Sequence, residues 1–149
     1  MSTAVTDLLS PDDVFVDLAA PDKTRVLQVL SYRAAERLGL DENLVANEIL
    51  AREALGSTGV GKGIAIPHAR LSSLNRPFAM AARLKRPIEF DAIDGEPVNL
   101  VILLLMPDNQ ESGQISLLAA IARKLRDEKV LGELRKASSP AELYRAFSG

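Results

Sequence analysis

Val98-Asn99-Leu100-Val101-Ile102-Leu103-Leu104-Leu105-Met106 is apolar at every position but one. A strand with one wet face alternates apolar and polar residues, and this one does not. It must therefore be covered on both faces, which places helices on either side of a sheet. Upstream, Phe78–Leu84 is a second strand. Ile64-Ala65-Ile66 is a third, stopped by Pro67. Val14-Phe15-Val16, β-branched and aromatic, is a fourth short candidate.

Helical patterns surround these strands. Leu8-Leu9-Ser10-Pro11 closes a short N-terminal helix. Asp22 precedes a segment with Val26, Leu27, Leu30, Ala34 and Leu38 on one face, stopped by Gly39. Asp41 caps a second helix carrying Leu44, Val45, Ile49 and Leu50, with Gly56 as its terminal glycine. Ser112 opens a helix with Ile115, Leu118, Ala122 and Leu125 inward, and Arg123, Lys124 and Arg126 suit its C-terminal dipole. Ser139-Pro140-Ala141-Glu142 is a capping box that starts the last helix. Helices and strands are interleaved without strict βαβ alternation. The expected fold is a three-layer α/β/α domain around a small mixed β-sheet.

At 149 residues the chain has the length of one domain, residues 1–149, with a single substantial core. A composition of 47% hydrophobic and 26% charged residues fits a globular protein. A net charge of −2 with no basic block gives no footing for nucleic acid. With no cysteine and one histidine, disulfide scaffolds and thiolate zinc sites are excluded, and no metal site is expected. The N-terminus lacks the basic and apolar regions of a signal peptide, and Leu100–Met106 is far too short to span a membrane. The expected location is the cytoplasm, with no membrane partner.

The one histidine, His68, closes the stretch Gly56-Ser57-Thr58-Gly59-Val60-Gly61-Lys62-Gly63-Ile64-Ala65-Ile66-Pro67-His68, with Arg52, Lys62 and Arg70 nearby in sequence. Imidazole can be neutral and nucleophilic near physiological pH, and glycines let backbone N–H groups approach an anion. Pro67 ends the strand and presents His68 on a loop with rigid flanks. Such a group suits phosphoryl transfer, which needs in-line positioning and neutralised oxygens more than acid–base work. Arg52 and the backbone around Ser57, Thr58 and Gly59 are the available donors. The alternative is a structural histidine beside a turn.

Residues 56–63 also fit a P-loop until Gly63, where a Ser or Thr should hold Mg²⁺. The context is reversed, because the stretch follows a helix and leads into a strand. Leu100–Met106 with Asp108 only faintly resembles a Walker-B strand, and Pro107 intervenes. A nucleotide hydrolase is therefore disfavoured. Glu89, Asp91, Asp94 and Glu96 form an acidic cluster, but Asp94-Gly95 is a turn signal and the cluster reads as a solvated connection.

Arg52-Glu53-Ala54-Leu55-Gly56-Ser57-Thr58-Gly59-Val60-Gly61, followed by Gly63-Ile64-Ala65-Ile66-Pro67-His68, resembles the active-site signature of the mannitol/fructose-class enzyme IIA domains. These belong to the bacterial phosphoenolpyruvate-dependent phosphotransferase system. Phe90-Asp91-Ala92-Ile93-Asp94-Gly95 and Ala137-Ser138-Ser139-Pro140-Ala141-Glu142-Leu143-Tyr144 extend the resemblance over about Leu8 to Phe147. The Gly-Ser-Thr-Gly form is similar to the nitrogen-regulatory branch. The resemblance implies that His68 accepts a phosphoryl group on Nε2 from a small phosphohistidine carrier protein, with Arg52 facing the phosphate. It implies regulatory protein targets such as potassium-transport and sensor-kinase proteins. It implies no metal or organic cofactor.

The chain departs from that family in three places. Gln114 stands where a second, flanking histidine is usual, and glutamine offers only a neutral hydrogen bond. Either the phosphorylated state loses stabilisation, or Gln114 is an ordinary first-turn residue and the helix N-terminus supplies enough field. Lys62 replaces a common Asn and is either a phosphate-side cation or a solvated one. Ala69 replaces a common Gly, which is harmless unless that position needs φ > 0. The leading reading is a phosphohistidine-carrying regulator using His68, Arg52, the Ser57–Gly59 backbone, Gln114 and Lys62. The alternative is a module that has kept the fold and binds partners without phosphorylation.

Overall fold

The computed structural model describes residues 8–108 and 111–148, and the side chains of residues 111–116 lie outside it. The elements run β1 (Leu9–Leu18), α1 (Lys23–Leu38), α2 (Glu42–Leu55), β2 (Gly59–Gly61), β3 (Ile64–Ala65), β4 (His68–Leu71), β5 (Phe78–Ile88), β6 (Val98–Pro107), α3 (Glu111–Lys124), α4 (Glu128–Lys136) and α5 (Pro140–Ser148). The strands form one mixed sheet in the order β1-β5-β6-β3-β2, with β4 also paired to β6. β5 and β6 are antiparallel, whereas β1 runs parallel to β5 and both β3 and β4 run parallel to β6.

The apolar run Val98–Met106 is the hub. Leu100, Ile102, Leu104 and Met106 face one core, with Leu117, Ile121 and Leu125 of the α3 region, Leu131 and Leu134 of α4, and Leu143 and Phe147 of α5. Val101, Leu103 and Leu105 face the other, with Val26, Leu27, Leu30 and Ala34 of α1 and Val45 and Ile49 of α2. β6 is buried from both sides, and the three-layer α/β/α architecture follows.

Asp22 caps α1 by accepting the Arg25 N–H, and Gly39 ends it in the left-handed conformation at φ 68°. Asp41 caps α2 through the Asn43 N–H. The expected capping box is shifted by one residue on one side. Ser139 Oγ accepts the Glu142 N–H at 3.2 Å, but the Glu142 carboxylate accepts from the N–H and hydroxyl of Ser138.

Four expectations change. Leu8 is helical as expected, but Leu9-Ser10-Pro11 belong to β1 and not to the end of that helix, and the residues before Leu8 lie outside those described. Pro11 is tolerated because β1 is an edge strand and its register shifts between Leu9 and Val14. In α3 the inward stripe is Leu117 and Ile121, continued by Leu125, while Leu118 and Ala122 lie beside it, only partly buried. The Ile115 side chain lies outside the described ones. A further helix, α4, intervenes before the last one. Asp127 caps it by accepting the N–H groups of Lys129 and Val130, and Gly132 in its middle weakens the sequence signal. Finally, His68 is not on a loop. Pro67 interrupts the strand for lack of an N–H, but its carbonyl still accepts from Leu104 N–H at 2.9 Å, and pairing resumes at His68↔Leu104. β3 and β4 are thus one line along β6 with a gap at Ile66 and Pro67.

Candidate functional site

His68 begins β4 at the edge of that gap and is half-buried. Its Nδ1 lies 2.8 Å from the Ile66 carbonyl oxygen. A carbonyl can only accept, so Nδ1 carries the proton and Nε2 keeps its lone pair in the neutral ring. Arg52 Nε donates to Nε2 at 3.3 Å, while its NH1 donates to the Gly56 carbonyl at 2.8 Å. The His68 pKa is held below its ordinary value. Burial is the main cause and the Arg52 charge acts the same way, against the Ile66 hydrogen bond and Glu53. The result is an imidazole kept neutral with its basic nitrogen facing a guanidinium.

A cleft of about 580 Å³ opens beside it, lined by His68, Arg52, Leu55, Arg70, Asp108 and Leu118 among others. A larger groove of about 720 Å³ lies between α1 and α2, away from His68. The sequence reading did not place Leu118 or Asp108 at the site. Leu118 gets there because the inward stripe of α3 is one residue earlier than the pattern suggested.

Ser57, Thr58 and Gly59 lie behind the histidine, and their donors are largely engaged. Ser57 Oγ donates to the Phe90 carbonyl at 2.6 Å and accepts the Gly59 N–H at 3.0 Å. Thr58 is buried, and both its N–H and its hydroxyl donate to the Glu53 carboxylate. The amide cradle expected for an anion is instead a tied loop, because Glu53 and Ser57 Oγ already accept from it.

Glu53, in the signature stretch Arg52–Gly61, has a role the sequence reading missed, and it is only 8% exposed. Val45, Ile49 and Glu53 are the buried residues of α2, four apart. That spacing is legible in the sequence: a carboxylate on an apolar stripe must find partners when the stripe is buried. Lys23 Nζ supplies one at 2.8 Å and stacks 4.8 Å from the centre of the Phe90 ring.

Lys62 does not line the cleft. It sits at the β2–β3 turn with φ 58°, between Gly61 at φ 99° and Gly63 at φ 79°. Its Nζ pairs with Glu128 at 3.0 Å, and its N–H donates to Asp94 Oδ2 at 2.9 Å. This left-handed backbone is one that Asn tolerates better than Lys. β2 and β3 pair antiparallel across this turn, so residues 59–65 form a hairpin and not a phosphate loop. Asp94 accepts from the N–H groups of Lys62 and Glu96, which lower its pKa, so the acidic cluster caps turns. Ala69 lies in β4 with no positive φ, so its extra methyl costs no backbone strain. Gln114 lies in the first turns of α3, and its side chain is outside the described ones. Thus Arg52 and His68 are brought together, Ser57–Gly59 are placed behind them, and Lys62 is turned elsewhere.

No helix among the described residues is long and apolar enough to cross a membrane. Residues 7–149 match the family model for the phosphoenolpyruvate-dependent sugar phosphotransferase system, EIIA 2. A nitrogen regulatory protein of Bradyrhizobium diazoefficiens is 42% identical over 144 residues, covering 97% of this chain and 94% of that one. The nitrogen regulatory protein of Escherichia coli K12 is 42% identical over 127 residues, covering 85% and 78%. The crystal structure of nitrogen regulatory protein IIA-Ntr from Neisseria meningitidis superposes with a TM-score of 0.90 at 29% identity, covering 96% of this chain and 98% of that one. The mannitol enzyme IIA of Escherichia coli, solved with phosphorylated enzyme IIB, shares the fold at a TM-score of 0.78 and 19% identity, covering 95% and 97%. The chain belongs to the EIIA type 2 family of the phosphotransferase system, on its nitrogen-regulatory branch.

Proposed function

We propose that this chain is a phosphohistidine-carrying regulator: His68 accepts a phosphoryl group from a small phosphocarrier protein, and partner proteins in the cytoplasm read its state. The observation that carries this is the neutral, half-exposed imidazole whose Nε2 faces Arg52 at 3.3 Å while Nδ1–H is held by Ile66. Nε2 attacks the phosphorus of the protonated phosphohistidine on the donor. The donor's P–N bond breaks, its nitrogen takes back the electron pair, and the P–Nε2 bond forms. Positive charge passes from the donor ring to His68. The Nδ1–H···O bond to Ile66 strengthens at that moment, because a charged donor bonds more tightly than a neutral one. Arg52 releases Nε2 and turns its fork onto the phosphoryl oxygens, a role suited to its planar geometry.

Thr58 N–H and Gly59 N–H are already bonded, and Gln114 cannot supply a cation. These two facts support the second reading, a binding module that works without phosphorylation. A transfer assay separates the two. The untagged protein is incubated with phosphoenolpyruvate, the first enzyme of the system and its small carrier, and its intact mass is measured beside His68→Ala. An acid-labile phosphoryl adduct on the wild type alone is expected. No adduct, from a carrier shown to be competent on another acceptor, replaces this reading with the binding module. In that case Gln114→His is the variant expected to restore transfer.

A further inference from the structure

We propose that Glu53 is a positioning residue for His68, acting through Thr58 and Ile66 to hold the imidazole with Nδ1 protonated and Nε2 toward Arg52. The reading rests on His68 being the phosphoryl acceptor.

The connection is continuous in the structure. The Glu53 carboxylate accepts the Thr58 N–H at 3.2 Å and the Thr58 hydroxyl. The Thr58 carbonyl accepts the Ile66 N–H at 3.0 Å. The Ile66 carbonyl faces His68 Nδ1 at 2.8 Å. Ile66 lies in the gap between β3 and β4, where Pro67 breaks the ladder to β6. Its carbonyl is therefore aimed by what grips its N–H, and that grip is Thr58. Thr58 in turn is fixed by a carboxylate one residue from Arg52 on the same helix. Movement of Glu53 would disturb both partners of Nε2 and Nδ1 together.

The Glu53 carboxylate is itself fixed. Its side chain is 5% exposed and Lys23 at the start of α1 holds it at 2.8 Å. Lys23 also donates to the Phe90 carbonyl at 3.4 Å, the same carbonyl that Ser57 Oγ reaches. The knot thus ties α1, α2, the 56–59 loop and the loop after β5 at one point beneath the cleft. Glu53 does not line that cleft, so it touches neither the phosphoryl group nor the donor. The Glu53 charge also favours protonation of His68, in the opposite sense to burial, so a loss of charge alone would lower proton affinity and not select a tautomer.

Because His68 is the chain's one histidine, ¹⁵N spectra of the ring read its tautomer without assignment. The untagged wild type at pH above 7 is expected to give a protonated Nδ1 and a bare Nε2. In Glu53→Ala the Nε2-protonated form appears. The rate of phosphoryl transfer at saturating carrier falls about 10- to 100-fold, since small misplacements cost that much. The KM for the carrier stays within about twofold, because Glu53 makes no contact with it. Glu53→Gln keeps an oxygen for Thr58 and restores the wild-type tautomer and most of the rate. A folded Glu53→Ala with the wild-type ring spectrum and rate overturns the proposal. So does a Glu53→Gln as impaired as the alanine, which would mean that charge or general stability is responsible. Should Glu53→Ala fail to fold, Thr58→Val and Thr58→Ser replace it. The valine variant is expected to weaken the Nδ1-protonated form and the serine variant to keep it; equal spectra overturn the proposal. If the wild type takes no phosphoryl group at all, the proposed function fails while the ring spectra still decide the positioning.

Discussion

Arg52 and Glu53 are neighbours in sequence, opposite in charge, and opposite in fate. Arg52 reaches a cleft wall, where its guanidinium meets one imidazole nitrogen and one carbonyl. Glu53 turns inward and accepts from Thr58 and Lys23 in a place with almost no solvent. One helical turn thus ends with a reactive side and a fastened side. Exposed charge is free to move with the chemistry, whereas buried charge is stable only while every partner stays in place.

The sharpest way to break this contrast is Arg52→Ala. Phosphoryl transfer to His68 is expected to fall about 10²- to 10³-fold, as for loss of a single charge-stabilising donor. Thermal unfolding should barely move, because Arg52 holds little besides the Gly56 carbonyl and Nε2. A large loss of melting temperature would show that the two sides of the turn are not distinct. Lys23→Met tests the fastened side. It leaves the Glu53 carboxylate buried without its cation and should cost about 1–3 kcal/mol in urea unfolding, below the full penalty because Lys23 is partly wet.

Gly59→Ala probes how the loop after β5 leans on this region. An added Cβ would lie 2.8 Å from Ala92 Cα, so loop or hairpin must shift. A cost of about 1–3 kcal/mol is expected, with faster hydrogen exchange at the Ile93 N–H, which donates to the Gly59 carbonyl. Unchanged exchange would show that the loop is held elsewhere.

A smaller effect is set by pH. The folded pKa of His68 is below its ordinary value, so the unfolded chain takes up the proton first as pH falls. Stability from this group is complete above about pH 6.5 and is lost as pH drops through the ordinary value toward the folded one. An NMR titration of the ring should place its midpoint below that of a model peptide, and a midpoint above it would refute the neutral ring. Least of all, Lys62→Asn should change stability by no more than about 0.5 kcal/mol, since relief at φ 58° offsets an exposed pair with Glu128. Its transfer rate should match the wild type; a clear drop would bring Lys62 back to the phosphate.

The layers were legible because β6 carries its evidence in its own composition: no polar alternation leaves no wet face. Asp22, Gly39 and Asp41 were legible because caps are local chemistry. The strand from Leu9 was not, because Pro11 argues against a strand unless one knows that it lies on an edge at a register shift. Helix α4 was obscured by Gly132. At the site, His68 and Arg52 stood out by residue type and spacing. Lys62 misled, because nearness in sequence to a histidine says nothing about where a turn aims its side chain.

By itself the sequence determined a two-sided sheet, the caps of its first helices, and a lone imidazole following a proline. Each of these depends on interactions within a few residues or on the burial of a single run. Only the tertiary structure decided which nitrogen of His68 carries the proton, that Thr58 and Gly59 spend their N–H groups internally, and that Lys62 faces Glu128. Those outcomes depend on which atoms from distant segments come within hydrogen-bonding reach, and that is fixed when α2, the hairpin and β6 pack together.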